Sequence, residues 1–202
     1  SHPDMPDVRH ANALLAFDLG DALAGLGHLE QIAPSRRRPA VAQLQRRLWL
    51  RTQTDPARLA ARRGQGAHAH DILVRAQASV GGDQGDELLA PLAEAFAEIG
   101  DVARALALGR RLVLRAGAGV PDRLAYAAVL LKANQDAELA VLVRQLRNSA
   151  LTTSQRADLD GLPAALAIRQ ADAMREAGNL AGAYGVLSPM MSDRPDDAGI
   201  AS

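Results

Sequence analysis

The chain has 202 residues, 23 basic against 23 acidic side chains, no cysteine and zero formal net charge; this leaves no global field to draw in nucleic acid or acidic lipid, and no disulfide or thiolate metal site, although it suits any compartment. Apolar residues make up 48% but aromatics only 2%, so alanine and leucine carry the hydrophobicity and the chain favours helices over strands. At this length it can form one sizeable domain or a short repeat array, and no apolar run approaches the ~20 residues needed to cross a bilayer.

In chain order, SHPDMPD has the character of an exposed or cloning-derived start rather than of a targeting segment. Residues 1–38 then form a degenerate first repeat and linker, with a hinge at Gly20-Asp21 in DLGDALAGL. Residues 39–85 form a repeat whose first helix is lengthened by the insert APSRRRPAVAQLQRRL, with Pro39 suited to a first helical position. Its hinge is Gly64-Gln65 in ARRGQGAHA. Residues 86–119 carry the hinge Gly100-Asp101 in EIGDVARAL, and residues 120–150 the hinge Asn134-Gln135 in LKANQDAEL. Residues 151–202 open with the insert NSALTTSQRADLDGLP, whose TTS run offers helix N-caps, and turn at Gly178-Asn179 in MREAGNLAGAYGVL. Pro56, Pro91 and Pro189 fall inside expected helices, so each predicts a kink or a restart; at TDPARLAAR a restart would use Asp55 as cap.

The five hinges share one chemistry. Glycine, or asparagine as second choice, takes the left-handed conformation that ends a helix, and the next residue can cap the helix that follows. They lie 44, 36, 34 and 44 residues apart, the longer spacings holding the two inserts. Seven residues before each hinge stands Ala13, Ala57, Ala93, Ala127 or Ala171, and five after it Gly25, Ala69, Ala105, Leu139 or Ala183. Abundant alanine explains some of these coincidences, but small residues at fixed offsets are also what two closely packed antiparallel helices require. Leu139 departs from the pattern, with neighbouring Ala140 as a substitute after a small shift. A helix-turn-helix unit with a period near 34 is the tetratricopeptide pattern. The fold class expected is all-α, a tetratricopeptide-repeat superhelix built as an α-solenoid of antiparallel helix pairs. Counting Gly178 as position 15 of the last unit puts Ala171, Ala183 and Pro195 at that family's small-residue and proline positions, with Tyr184 and Leu187 filling the apolar face. Val186, Leu187 and Met190 would lack the cover of a next repeat, which is what a piece of a longer array predicts.

Sites of chemistry are scarce. GQGAHA at 64–69 has the outline of a dinucleotide loop but follows a helical stretch where such a loop needs a strand. His68 and His70 point to different sides of a helix, so a solvated pair is expected rather than a joint metal site. GGDQGDE at 81–87 lacks calcium-loop spacing and reads as a linker with Asp86 near a helix start. No nucleophile elbow, zinc-protease motif or phosphate loop occurs, so neither catalysis nor a cofactor is expected. Arginines crowd residues 36–63, while Asp86, Glu87, Glu94 and Glu98 make the next unit acidic. A phosphate-binding surface is one reading of the arginines, but Trp49 is the one aromatic among them to stack on a base. A solvated face with salt bridges to the acidic neighbour is the preferred one, and a protein partner comes next.

Resemblance to tetratricopeptide repeats implies that first helices line a concave groove. The positions that face it would be Arg51, Arg58 and Arg62, then Glu87, Glu94 and Glu98, then Lys132, and then Asp172, Arg175 and Glu176. Such a groove changes sign along its length and would select a partner segment by complementary charge; equally, these residues fit the polar sides of amphipathic helices. For a polysaccharide, Trp49 is the single available sugar platform, because Tyr126 and Tyr184 are expected to be packed and Phe17 and Phe96 to be core. Weak or no binding of such a polymer is therefore expected.

A narrower resemblance rests on RLAYAAVLLKANQDAELAVLVRQL, on LTTSQRADLDGLPAALAIRQADAMREAGNLAGAYGVLSPMMSDRPDD and, more weakly, on AVAQLQRRLWLRTQTDPARLAARRGQGAHAHDILVRAQ. From about residue 39 onward the chain resembles the periplasmic repeat region of the cellulose synthase operon protein C family. The resemblance implies a non-enzymatic periplasmic scaffold that joins an inner-membrane synthase to an outer-membrane barrel, with other proteins of the export complex as partners. The barrel is not in this sequence, and no nucleic acid or membrane insertion by this stretch is implied. Alternatives are the same scaffold in another secretion system, a module that guides the glucan, and a basic nucleic-acid binder.

Overall fold

The computed structural model describes residues 5–80 and 83–192. All regular structure among the described residues is helical: α1 (Pro6–Asp18), α2 (Ala22–Glu30), α3 (Pro39–Arg62), α4 (Gly66–Ser79), α5 (Leu89–Glu98), α6 (Val102–Leu114), α7 (Val120–Lys132), α8 (Asp136–Arg147), α9 (Thr153–Glu176) and α10 (Leu180–Ser192), with 3-10 segments at Pro34–Arg36 and Asp83–Leu88. The chain divides into two compact units, residues 1–109 and 110–202.

The hinges are made as the sequence predicts. Gly20, Gly64, Gly100 and Gly178 have φ between 76° and 87°, and Asn134 has φ 58°, each in the left-handed region that closes a helix. After three of them the next side chain caps the following helix. Asp21 accepts from the Ala24 amide at 2.9 Å, Asp101 from Arg104 at 3.1 Å and Asn179 from Gly182 at 2.9 Å. Gln65 and Gln135 make no such bond, as their longer side chains do not suit the cap position. The five upstream alanines and Ala69, Ala105 and Ala183 are buried. Gly25 shows why small residues stand here: a Cβ on it would come within 2.8 Å of Leu48, itself fully buried.

In the first unit, α1 pairs with α2 and α3 with α4, and α3 also packs on α2 and α5. Ala13, Ala22, Leu29, Ile32, Val41, Leu44 and Leu48 form a core against which Phe17 and Leu26 pack. Pro39 opens α3, as expected, but Pro56 does not restart a helix, because α3 runs unbroken for 24 residues. The buried stripe Leu44, Leu48, Leu50, Ala57 and Ala60 continues across it, and Pro56 itself is exposed. The helix therefore loses one backbone bond on the side that water reaches, and packing outweighs that loss. Pro91 stands in the first turn of α5, just after the 3-10 segment, where a proline costs little.

In the second unit α7 pairs with α8 and α9 with α10, and α9 also packs on α7. Thr152 and Gln155 exchange side-chain and backbone bonds of 3.2 and 3.0 Å at the start of α9, a capping box within the TTSQ stretch. The lengthened α9 spans 24 residues and passes through an exposed Pro163. Two expectations need correction. Leu139 itself is buried while Ala140 is exposed, so α8 seats a leucine where the other second helices seat a small residue. Tyr184 is 67% exposed rather than packed, whereas Tyr126 is buried as expected. Val186 and Leu187 are half-buried; the side chain of Met190 and all of Pro195 lie outside the described residues.

Candidate functional site

The first unit holds a groove of about 490 Å³ between α3 and α5. Gln43, Arg47, Leu50, Arg51, Thr54 and Arg58 line one wall, and their steps of three and four residues place them on a single face of α3. Glu87, Pro91 and Glu94 supply the other wall, and Phe17 of α1 completes the lining. A neighbouring hollow of about 420 Å³ is lined by Arg58, Arg62 and Glu98 with Ala61 and Ile99. Of the six residues predicted in this unit, Arg51, Arg58, Glu87 and Glu94 line the groove, while Arg62 and Glu98 line the neighbouring hollow with Arg58.

Most of the charges already have partners. Arg46 meets Glu87 at 2.5 Å. Arg58 pairs with Glu98 and, at 3.1 Å, with Asp55; burial opposes the charge of Arg58, but the two carboxylates outweigh it and push its pKa up. These bridges from α3 to the acidic elements beside it match the preferred reading of the arginine cluster. Arg51 donates to the Phe17 carbonyl at 2.9 Å and lies 3.5 Å from Asp55. The guanidiniums of Arg47 and Arg51 sit 4.7 and 5.4 Å from the centre of the Phe17 ring, within cation–π range. The sequence reading missed Arg47 as a groove residue, although it stands one helical turn before Arg51 and so had the right spacing. It also missed Phe17, which no spacing on α3 could bring in.

In the second unit Lys132 ends α7, and Asp172, Arg175 and Glu176 are exposed near the end of α9, where Arg175 approaches Asp172 at 3.4 Å. Arg169 was not foreseen. It donates to the Leu131 carbonyl, to Asn134 Oδ1 at 2.6 Å and to Asp136, and Gln170 adds a 3.1 Å bond to Asp136. Burial alone would raise the pKa of Asp136, but Arg169 and Gln170 outweigh it and hold the carboxyl below its ordinary range. Tyr126 donates to Glu138 at 2.6 Å, and Arg110 approaches the same carboxylate at 3.4 Å. Burial, then the bond to Glu138, pushes the phenol up to about 12 against the opposing pull of Arg110.

Trp49 is half-buried and does not line the groove; it stands two residues from Arg47, about 200° round the helix. His68 is exposed, whereas His70 is half-buried, lying 3.2 Å from Asp101 and edge-on to Phe96. No group of three metal-ligating side chains occurs among the described residues, and no described helix is long and apolar enough to cross a membrane.

No family profile matches the chain, and no solved structure matches it. Two curated relatives match it almost from end to end. Cellulose synthase operon protein C of Xanthomonas axonopodis pv. citri (strain 306) is 43% identical over 195 residues, 96% of this chain. The protein of the same name from Pseudomonas fluorescens (strain SBW25) is 33% identical over 199 residues, 98% of this chain. The chain spans 13% and 15% of the lengths of these relatives. With all-helical paired units in the structure and this similarity along nearly its whole length, the chain is related to one segment of those longer proteins named cellulose synthase operon protein C.

Proposed function

We propose that this chain is a non-enzymatic helical-repeat scaffold of bacterial cellulose synthesis and export, holding protein segments in the periplasm between an inner-membrane synthase and an outer-membrane pore. The groove between α3 and α5 carries this reading: one wall is mainly cationic, the other carries carboxylates, and Leu50 and Pro91 add an apolar residue to each. Side chains of an extended protein segment match such a lining through complementary charge and burial. A glucan needs flat, open aromatic faces, and Phe17 at the groove is already overlaid by two guanidiniums. The names of the relatives support a place in cellulose production.

The test is in-cell photo-crosslinking of the full-length protein, with the reactive residue placed at Gln43 or Arg62. Adducts with other proteins of the cellulose export complex are the expected result. If no protein adduct forms, and the isolated chain binds cello-oligosaccharide at millimolar sugar with loss of binding in Trp49→Ala, the chain guides the polymer instead. A fluorescent fusion that matures only in the cytoplasm tests the compartment; it should stay dark.

A further inference from the structure

We propose that the end of this groove nearest Phe17 receives an acidic side chain from an extended segment of a partner protein, with Arg47 as the recognition residue. The proposal rests on the scaffold reading and names the chemistry of its partner. Among the described residues Arg47 has no carboxylate within ion-pair distance, and its one charge-related contact there is the Phe17 ring at 4.7 Å. A guanidinium lying over an aromatic ring uses its flat face and keeps the N–H fork at its edge free for a carboxylate. The guanidinium of Arg51 lies within 5.4 Å of the same ring centre, so two cations converge there. Arg51 is held by the Phe17 carbonyl at 2.9 Å and approaches Asp55 at 3.5 Å. Two like charges drawn to one ring repel each other, and an incoming anion relieves that repulsion.

The acidic wall does not already supply that anion: Glu87 is engaged by Arg46 at 2.5 Å, Glu98 lies farther along against Arg58, and Glu94 makes no ion pair with Arg47. Leu50, beside Arg51, and Pro91 on the facing wall add the apolar part of the lining. From Gln43 to Arg58 the groove face of α3 runs about 22 Å at ~1.5 Å per residue, room for about seven residues of extended chain. In such a chain alternate side chains share a face, so the ligand would present acidic and aliphatic residues toward the groove. A single-stranded nucleic acid fits less well, because the ring on which a base would stack is overlaid by arginines.

The experiment is fluorescence anisotropy of the full chain with a labelled peptide of about seven residues whose every second position carries Glu and Leu in turn, so that both share one face. Its Gln-for-Glu and Lys-for-Glu counterparts and an oligothymidine of similar length are the comparisons. The Glu peptide is expected to bind about ten-fold more tightly than the Gln peptide, with Arg47→Gln removing about that factor and added salt weakening the complex. Arg47 is exposed, so Arg47→Gln should leave the fold intact, which circular dichroism checks. Arg144→Gln, at an exposed arginine of α8, should bind as the parent does. Equal binding of the Gln peptide, undiminished binding by Arg47→Gln, or preferred binding of the oligonucleotide overturns the proposal. None of those outcomes removes crosslinks to export proteins, so failure here is distinguishable from failure of the scaffold reading.

Discussion

At the scale of single residues, the fold rests on a few positions where backbone conformation or volume leaves little choice. Gly100, at φ 87°, closes α5 before Asp101 opens α6. Gly100→Ala places a Cβ in the left-handed region and should cost about 1–2 kcal/mol, seen as a lower urea midpoint with an unchanged slope. Ala57 is fully buried where α3 meets its neighbours, and Ala57→Leu should destabilise by about 1–3 kcal/mol through overpacking. Tyr126 gives a pH-dependent readout. Its phenol is raised to about 12 from an ordinary 10.0, so the folded state favours the protonated form. That contribution is complete below the ordinary value and is lost as pH rises through the folded one. With Tyr184→Phe leaving Tyr126 as the single tyrosine, the ultraviolet phenolate band should rise near pH 12 while the chain is folded, and earlier in denaturant.

At the scale of elements, the two 24-residue helices α3 and α9 each send an arginine to the C-terminal end of an earlier first helix. Arg51 reaches the Phe17 carbonyl of α1, and Arg169 reaches the Leu131 carbonyl of α7. Each carbonyl also accepts a backbone bond of 3.2 Å from its turn, from Gly20 and Asn134, and it lies at the negative end of its helix, where a guanidinium is favoured. Arg169→Ala should loosen α9 from the α7–α8 turn, with faster amide exchange around Leu131 to Asp136. Asp136 makes the same contact sensitive to acid. Its carboxyl is held below the ordinary 3.8, so the contact is fully present above that value and lost as pH falls through the depressed one. Pro56 offers the opposite lever. It is exposed inside a helix that continues past it, and Pro56→Ala should stabilise the chain by about 1–3 kcal/mol, raising the urea midpoint.

At the scale of the whole molecule, 23 positive and 23 negative side chains leave zero formal charge, yet the charges are sorted into pairs between elements. Arg46–Glu87 and Arg58–Glu98 join α3 to the acidic residues beside it, and Arg115 joins Asp122 at 2.7 Å. These side chains are partly exposed, and pairs of that kind contribute at most about 1 kcal/mol each. Molar salt should therefore shift the stability of the chain little while weakening the charge-guided peptide complex at Arg47 much more. Parallel urea and anisotropy titrations would separate the two effects.

The sequence by itself determined the turns and the small-residue contacts. A left-handed turn admits glycine or asparagine, and a close helix crossing admits alanine or glycine, so those residues recur at fixed offsets and declare the paired-helix units. Of the groove's lining, Arg51, Arg58, Glu87 and Glu94 were legible, through the resemblance to tetratricopeptide repeats once the hinges are known. What only the tertiary structure decided depends on contacts between residues far apart in the chain. Phe17 enters the groove from α1, 34 residues before Arg51, and Arg169 reaches a turn more than 30 residues back. Whether Pro56 breaks a helix depends on the buried stripe to either side of it, and whether Tyr184 is packed depends on what lies against α10. Local chemistry repeats and can be read along the chain; burial and long-range pairing belong to the packed molecule, because they depend on which surfaces meet.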